Sequence, residues 1–176
     1  DHLTFMGTCP PDKWFKTHPE YFALIDGKRV SGKQYCISNQ GLRDETVARI
    51  LRMLDRDGGD GQWVFGMWDT SWGWCECDAC RRLDKGDKPI EDMPNVSTRF
   101  NEAVKYMSEK VWEKYPNADL RMWAYHTYRQ VPEDVRHDPR LKICFCDHGR
   151  CYAHALDDPK CFRNVAINRM LTAWAK

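Results

Sequence analysis

The stretch Trp63-Val-Phe-Gly-Met-Trp-Asp-Thr-Ser-Trp-Gly-Trp-Cys-Glu-Cys-Asp-Ala-Cys80 decides how the rest of the chain is read. Its apolar start, over residues 62–68, has the pattern of a strand covered on both faces. The run ends at Asp69, passes Trp72 and Trp74, and closes with Cys75, Cys77 and Cys80. Strand ends in α/β enzymes carry catalytic acids, exposed indoles stack on sugar faces, and clustered thiols hold zinc or cross-link. Chemistry, recognition and bracing thus fall within one short segment. This favours a carbohydrate-directed enzyme over a bare zinc finger.

Working outward, residues 34–38 (Gln-Tyr-Cys-Ile-Ser) read as a first short strand, and 1–33 as irregular with a turn at Asp26-Gly27-Lys28. A helix is expected over 44–56, with Val47, Ile50, Leu51 and Leu54 on one stripe. A charged loop follows the thiols over 81–94. The next helix runs over 96–115, buries Phe100, Val104, Met107 and Val111, and stops before Pro116. Residues 120–127 and 141–146 read as further strands, and 163–175 as a last helix. This order predicts parallel strands joined by crossover helices, although Pro132 and Pro139 leave little room for a helix in the last link. Four strands and three helices make about half of a (β/α)8 barrel, which takes roughly 250 residues. The expected fold is therefore a partial TIM-like barrel, residues 1–176 forming one domain, a fragment of a larger barrel that other domains or chains would complete.

Composition narrows the partners. With 27 basic and 26 acidic side chains the net charge is +1, and no basic block offers a phosphate-binding surface, so no nucleic acid is expected. No apolar run is long enough to cross a membrane. The chain opens at Asp1 with neither an initiator Met nor a leader, and is expected to be a mature or excised piece. Eight tryptophans are more than a core of this size needs, and nine cysteines far exceed cytosolic usage. The odd count leaves at least one thiol unpaired within the chain.

Four expected strand ends carry polar or aromatic groups: Ser38-Asn39, Trp68-Asp69, Tyr125-His126 and Cys146-Asp147-His148. Asp69, between two indoles in a partly apolar pocket, is the candidate general acid; Asp-Thr-Ser is equally good capping sequence. Asp147 is the candidate second carboxylate, with an ion pair to Arg150 as its alternative. Asn39, Trp68, Trp72, Trp74, Tyr125 and His126 are the candidate substrate-binding residues. Trp72 and Trp74 are preferred among the aromatics because they lie beyond the strand. Cys77 and Cys80 have zinc-ligand spacing, with Cys75 as third ligand. Cys36, Cys144, Cys146, Cys151 and His154 are candidates for the fourth, and Cys151 is taken. Disulfides to Cys144, Cys146, Cys151 and Cys161 are the competing arrangement; a structural zinc ranks ahead of them.

Several of these residues resemble a bacterial family, domain of unknown function 4838, usually grouped with family 20-like glycoside hydrolases. The resemblance runs from Pro10-Pro11 through residues 18–24 (His-Pro-Glu-Tyr-Phe-Ala-Leu), Cys36, Asn39 and Asp69. It continues through the Cys75-x-Cys77-x-x-Cys80 knot, Ala124-Tyr125, residues 151–156 (Cys-Tyr-Ala-His-Ala-Leu), Cys161 and Asn164. It implies a TIM-like barrel, secretion to the periplasm or outside a bacterial cell, and action on or binding to glycans. Trp68 stands where the family tends to have Asn, and Asp147 where no acid is expected. The expected function is hydrolysis of O-glycosidic bonds by carboxylate catalysis; the alternatives are a non-catalytic carbohydrate-binding module and a zinc-braced protein-interaction domain.

Overall fold

The computed structural model describes residues 4–90 and 93–175. Three strands form the central sheet: β3 (Gln62–Phe65), β4 (Asp119–Ala124) and β5 (Lys142–Phe145). All three run parallel in sequential order, with Phe65 beside Met122 and Met122 beside Ile143. Alternation along β4 sorts its side chains. Leu120, Met122 and Ala124 are fully buried, whereas Asp119, Arg121 and Trp123 on the opposite face are half-buried. In β3, the strand expected to be covered on both faces, Phe65 is buried, Trp63 and Val64 are half-buried and Gln62 is exposed.

Two long helices supply the cover. In α3 (Gln40–Arg56), Leu42, Val47, Ile50 and Leu54 are buried, and in α5 (Ser97–Lys114), Phe100, Val104, Met107 and Val111. These residues join Phe65, Leu120 and Met122 in one core. Helix α3 starts four residues earlier than its apolar stripe implies, because Asn39 caps it: Asn39 Oδ1 accepts from the Leu42 amide at 3.0 Å. At the sheet edge, α1 (Thr4–Thr8) covers β3. Thr4 donates its hydroxyl to the Val64 carbonyl and its amide to the Gly66 carbonyl, and accepts from the Gly66 amide. A covered edge offers no template for another strand. After α2 (Pro11–Trp14), strands β1 (Leu24–Ile25) and β2 (Lys28–Arg29) form a hairpin. Its two-residue turn has positive φ at Asp26 (48°) and Gly27 (73°), as tight hairpins demand.

Parallel strands with helical packing match the coarse expectation of an α/β fold. The described residues form an open three-stranded sheet and no closed barrel. The segment expected as a first sheet strand, 34–38, bonds elsewhere. Tyr35 bridges antiparallel to Phe22, the Cys36 amide donates to Tyr21, and the Gln34 amide to Gly73. The turn ahead of it had already brought a local partner within reach. The link from β4 to β5 holds a single 3-10 turn at His126–Tyr128, as its prolines led one to expect. Two further helices complete the chain: α4 (Asp78–Leu83), which starts inside the thiol knot, and α6 (Phe162–Trp174).

Within the β4–β5 link, half-buried His137 donates from Nε2 to Asn101 Oδ1 at 2.6 Å, while its buried Nδ1 has no hydrogen-bond partner among the described residues. Asn101 Oδ1 can only accept, because the amide nitrogen of Asn101 already donates to Ser97. Burial, with a smaller push from Lys105, lowers the imidazole to about 4. The unfolded chain therefore binds the extra proton between about pH 6.5 and 4, and the folded one does not. This contribution to stability is complete above pH 6.5 and lost as pH falls through that window, about 2–3 kcal/mol in all. Urea melts at pH 7 and 4.5 should show it, and His137→Gln should flatten the difference; equal pH dependence in the two proteins would refute the assignment.

Candidate functional site

The carboxyl ends of the parallel strands converge. Beyond β3 the chain turns at Asp69, Thr70 and Ser71. Tyr125 and His126 follow β4 directly, and His148 lies three residues past β5. Tyr125 donates its hydroxyl to Asp69 Oδ1 at 2.6 Å. Burial, reinforced by that carboxylate, pushes the phenol up to about 12, so it stays protonated and keeps donating. Ser71 Oγ lies 2.8 Å from His126 Nδ1, and the rings of His126 and His148 stack at 5.5 Å. His126 holds φ = 50°, a left-handed backbone rarely taken by a side-chain-bearing residue and often found at working sites. Arg129, buried, reaches the His148 carbonyl at 3.4 Å. His126, His148 and Arg129 line a cavity of about 340 Å³ against α6.

The expected residues fare unequally. Asp69, Tyr125 and His126 come together, and His148, read only as part of a strand end, joins them. Asp69 is exposed to solvent rather than pocketed, and the cap of its turn is Thr70, whose hydroxyl accepts from the Trp72 amide at 3.2 Å. Asp147 forms an ion pair with Arg150 at 3.2 Å. Asn39 is occupied as the cap of α3. Trp72 is 64% exposed, whereas Trp74 is buried edge-on to Tyr128, a core residue and not a platform. Trp68 is half-buried, and its carbonyl accepts from Gln34.

The thiols form a second feature. Cys36, Cys75, Cys77 and Cys80 place their sulfurs within 4.8 Å of one another, Cys36 lying 3.6 Å from Cys77 and 4.0 Å from Cys80. A tetrahedron with metal–sulfur bonds near 2.3 Å has edges of about 3.8 Å, whereas a disulfide needs about 2.05 Å. The spacing is that of a chelate. All nine cysteines lie among the described residues, and none is bridged. The fourth thiol is Cys36, not Cys151. The local pairing of 34–38 against 21–23 carries Cys36 to the knot, while Cys151 belongs to another loop. The four residues can hold a metal ion.

The surroundings support that chemistry. The Leu24 amide points at Cys75 Sγ from 3.3 Å, Arg29 from 3.7 Å, and Ser38 Oγ lies 3.1 Å from Cys80 Sγ. Such donors stabilise thiolate charge. Without a cation the four sulfurs cannot all ionise. Hydrogen bonds from Cys75 and Cys80 hold Cys36 low, and those contacts drive Cys75 up to about 11 and Cys80 higher still. A divalent ion would replace this proton sharing with four thiolates. Beneath the knot Arg99, 3% exposed, pairs with Asp84 through Nε at 2.7 Å and Nη2, and donates to the Cys75 carbonyl at 2.9 Å. Asp84→Ala would strand a buried guanidinium and should cost about 3–5 kcal/mol in denaturant melts; a change below 1 kcal/mol would show the pair to be dispensable.

Cys151, His154 and Cys161 form a separate group whose ligand atoms also lie within 4.8 Å. His154 Nδ1 sits 3.1 Å from Cys151 Sγ and draws that thiol down to about 7. Of the remaining cysteines, Cys9 is a core residue whose thiol burial pushes up to about 11. Sequence reading missed the Asp69–Tyr125 pairing and the Arg99–Asp84 support. The signal for the second was an Arg on the buried stripe of α5.

The model of the family described as "Domain of unknown function (DUF4838)" matches residues 1–176, and the chain belongs to that family. No curated protein and no solved structure matches it.

Proposed function

We propose that this domain acts on glycans as a glycoside-hydrolase-like module, its working site at the carboxyl edge of the parallel sheet. The observation that carries the reading is the Asp69–Tyr125 hydrogen bond, set beside His126, Ser71 and His148 and a few residues from exposed Trp72. A carboxylate held by a protonated phenol accepts a sugar hydroxyl or stabilises positive charge developing at an anomeric carbon. Asp69 then serves as the anionic member and not as the acid first expected. The imidazoles of His126 and His148 supply the proton-transfer groups of the set. With Asp147 engaged by Arg150, the usual pair of carboxylates is replaced here by a carboxylate–phenol–imidazole set. Trp72 would offer its face to a pyranose ring.

Zinc in the four-thiolate site, holding the hairpin, the knot and α4 together, belongs to the same proposal. So does a secreted setting, in which metal-bound thiolates resist the oxidation that threatens unprotected thiols. Further strands from another domain or chain, extending the open sheet towards a barrel, are part of it too. The alternative is a glycan-binding module without turnover, which the exposure of Asp69 and the engagement of Asp147 favour. Chromogenic glycosides and immobilised polysaccharides decide between them. Turnover supports the enzyme, binding without turnover the module, and neither result would sink both.

A further inference from the structure

The loop from Cys151 to Cys161 is built more firmly than a surface turn requires. Asn164, fully buried in the first turn of α6, spends its whole amide on it: Nδ2 donates to the carbonyls of Cys151 (3.0 Å), His154 (3.1 Å) and Ala155 (2.9 Å), and Oδ1 accepts from the Cys151 amide at 2.7 Å. Two further turns, Asp158 N–H to Ala155 and Cys161 N–H to Asp158, close the remainder. The clamp brings together three soft or borderline ligands that share no sequence neighbour. Cys161 is buried, Cys151 half-buried, and His154 exposed.

We propose that Cys151, His154 and Cys161 form a second metal site, distinct from the four-thiol centre, that binds a zinc-class divalent ion and keeps its fourth coordination position open to water. Two thiolates and an imidazole select a borderline-soft ion over magnesium or calcium. In a tetrahedral complex a sulfur and a nitrogen ligand stand about 3.6 Å apart, so the Cys151–His154 pair at 3.1 Å has only to open by about half an ångström. Three protein ligands on an exposed loop leave the last position to solvent or to a small ligand, in contrast with a closed set of four. The site is local, all its ligands lying within eleven residues, and it shares none with the four-thiol centre. The two sites therefore load independently.

Cobalt(II) chloride is the probe, titrated into the reduced full chain, because tetrahedral cobalt–thiolate spectra report ligand type and geometry. Wild type should bind two equivalents. His154→Gln, a change at an exposed residue, should keep its melting temperature but bind the second equivalent about a hundredfold or more weakly. Imidazole added to the loaded protein should shift only the spectral component that His154→Gln removes. A single equivalent in wild type that His154→Gln binds unchanged would overturn the proposal. So would two equivalents of unchanged affinity in both His154→Gln and Cys151→Ser. A Cys151–Cys161 disulfide that forms on exposure to air despite excess cobalt would do the same. A cobalt spectrum indifferent to imidazole would overturn the open position.

Discussion

Replacing Cys36 by serine should lower the melting temperature of the metal-loaded protein by about 10–15 °C. Zinc held by four thiolates contributes on the order of 10 kcal/mol in small domains, comparable to the whole net stability of an ordinary one. Losing one of four ligands forfeits part of that, taken here as about 4 kcal/mol. In a chain of this length each kcal/mol moves the midpoint by about 2–4 °C. Cys36 sits where the effect should be largest, because it is buried and its sulfur touches those of both Cys77 and Cys80. A chelator should bring wild type and Cys36→Ser to a similar lower level, and so move the variant less than it moves wild type. Cys9→Ser is the control: it damages the core near Tyr35, whose hydroxyl donates to the Cys9 carbonyl, yet should remain sensitive to the chelator. A wild-type melt identical in zinc and in chelator would mean that the four sulfurs only pack.

Asp69→Asn carries the second large expectation, a fall in turnover of 10²–10⁴-fold with glycan affinity retained. The substitution keeps shape, and the new amide oxygen can still accept from Tyr125, so what disappears is negative charge. Since Asp69 is exposed, stability should change by no more than about 0.5 kcal/mol. Trp72→Ala should do the reverse, weakening binding about tenfold through lost stacking while leaving the chemical step nearly intact. Kinetics on a chromogenic glycoside and binding to the matching oligosaccharide separate the two. Undiminished turnover in Asp69→Asn would remove the carboxylate from the mechanism, and unchanged binding in Trp72→Ala would remove the platform.

What could be read in advance follows from the range over which each signal acts. The stripe of Val47, Ile50 and Leu54 and that of Phe100, Val104 and Met107 are local periodicities, and both helices form and bury those stripes, α3 starting four residues earlier at its Asn39 cap. The pattern of alternating elements gave the parallel pairing, because a helix between strands leaves few other connections. Residues 34–38 misled because an apolar alternation says that a segment is extended and not which partner it takes. Trp74 misled for a related reason: its distance from the strand suggested exposure, but the chain turns back and seats it against Tyr128. The choice between Cys36 and Cys151 as fourth thiol was a question of contacts forty or more residues apart, on which spacing is silent. The convergence of Asp69, Tyr125 and His126 was legible from topology alone, since parallel strands place all their carboxyl ends on one side.

The four-thiol centre joins Cys36 to sulfurs 41 and 44 positions further along the chain, and this has a consequence for how quickly the molecule is made. Closing such a span before its contacts can reward it is slow. An ion that captures the close-set Cys75, Cys77 and Cys80 first would then have only one long search left, for Cys36. Refolding should therefore show a phase whose rate depends on zinc concentration. The phase should vanish in Cys36→Ser, while the local helices form at their usual speed whether or not metal is present.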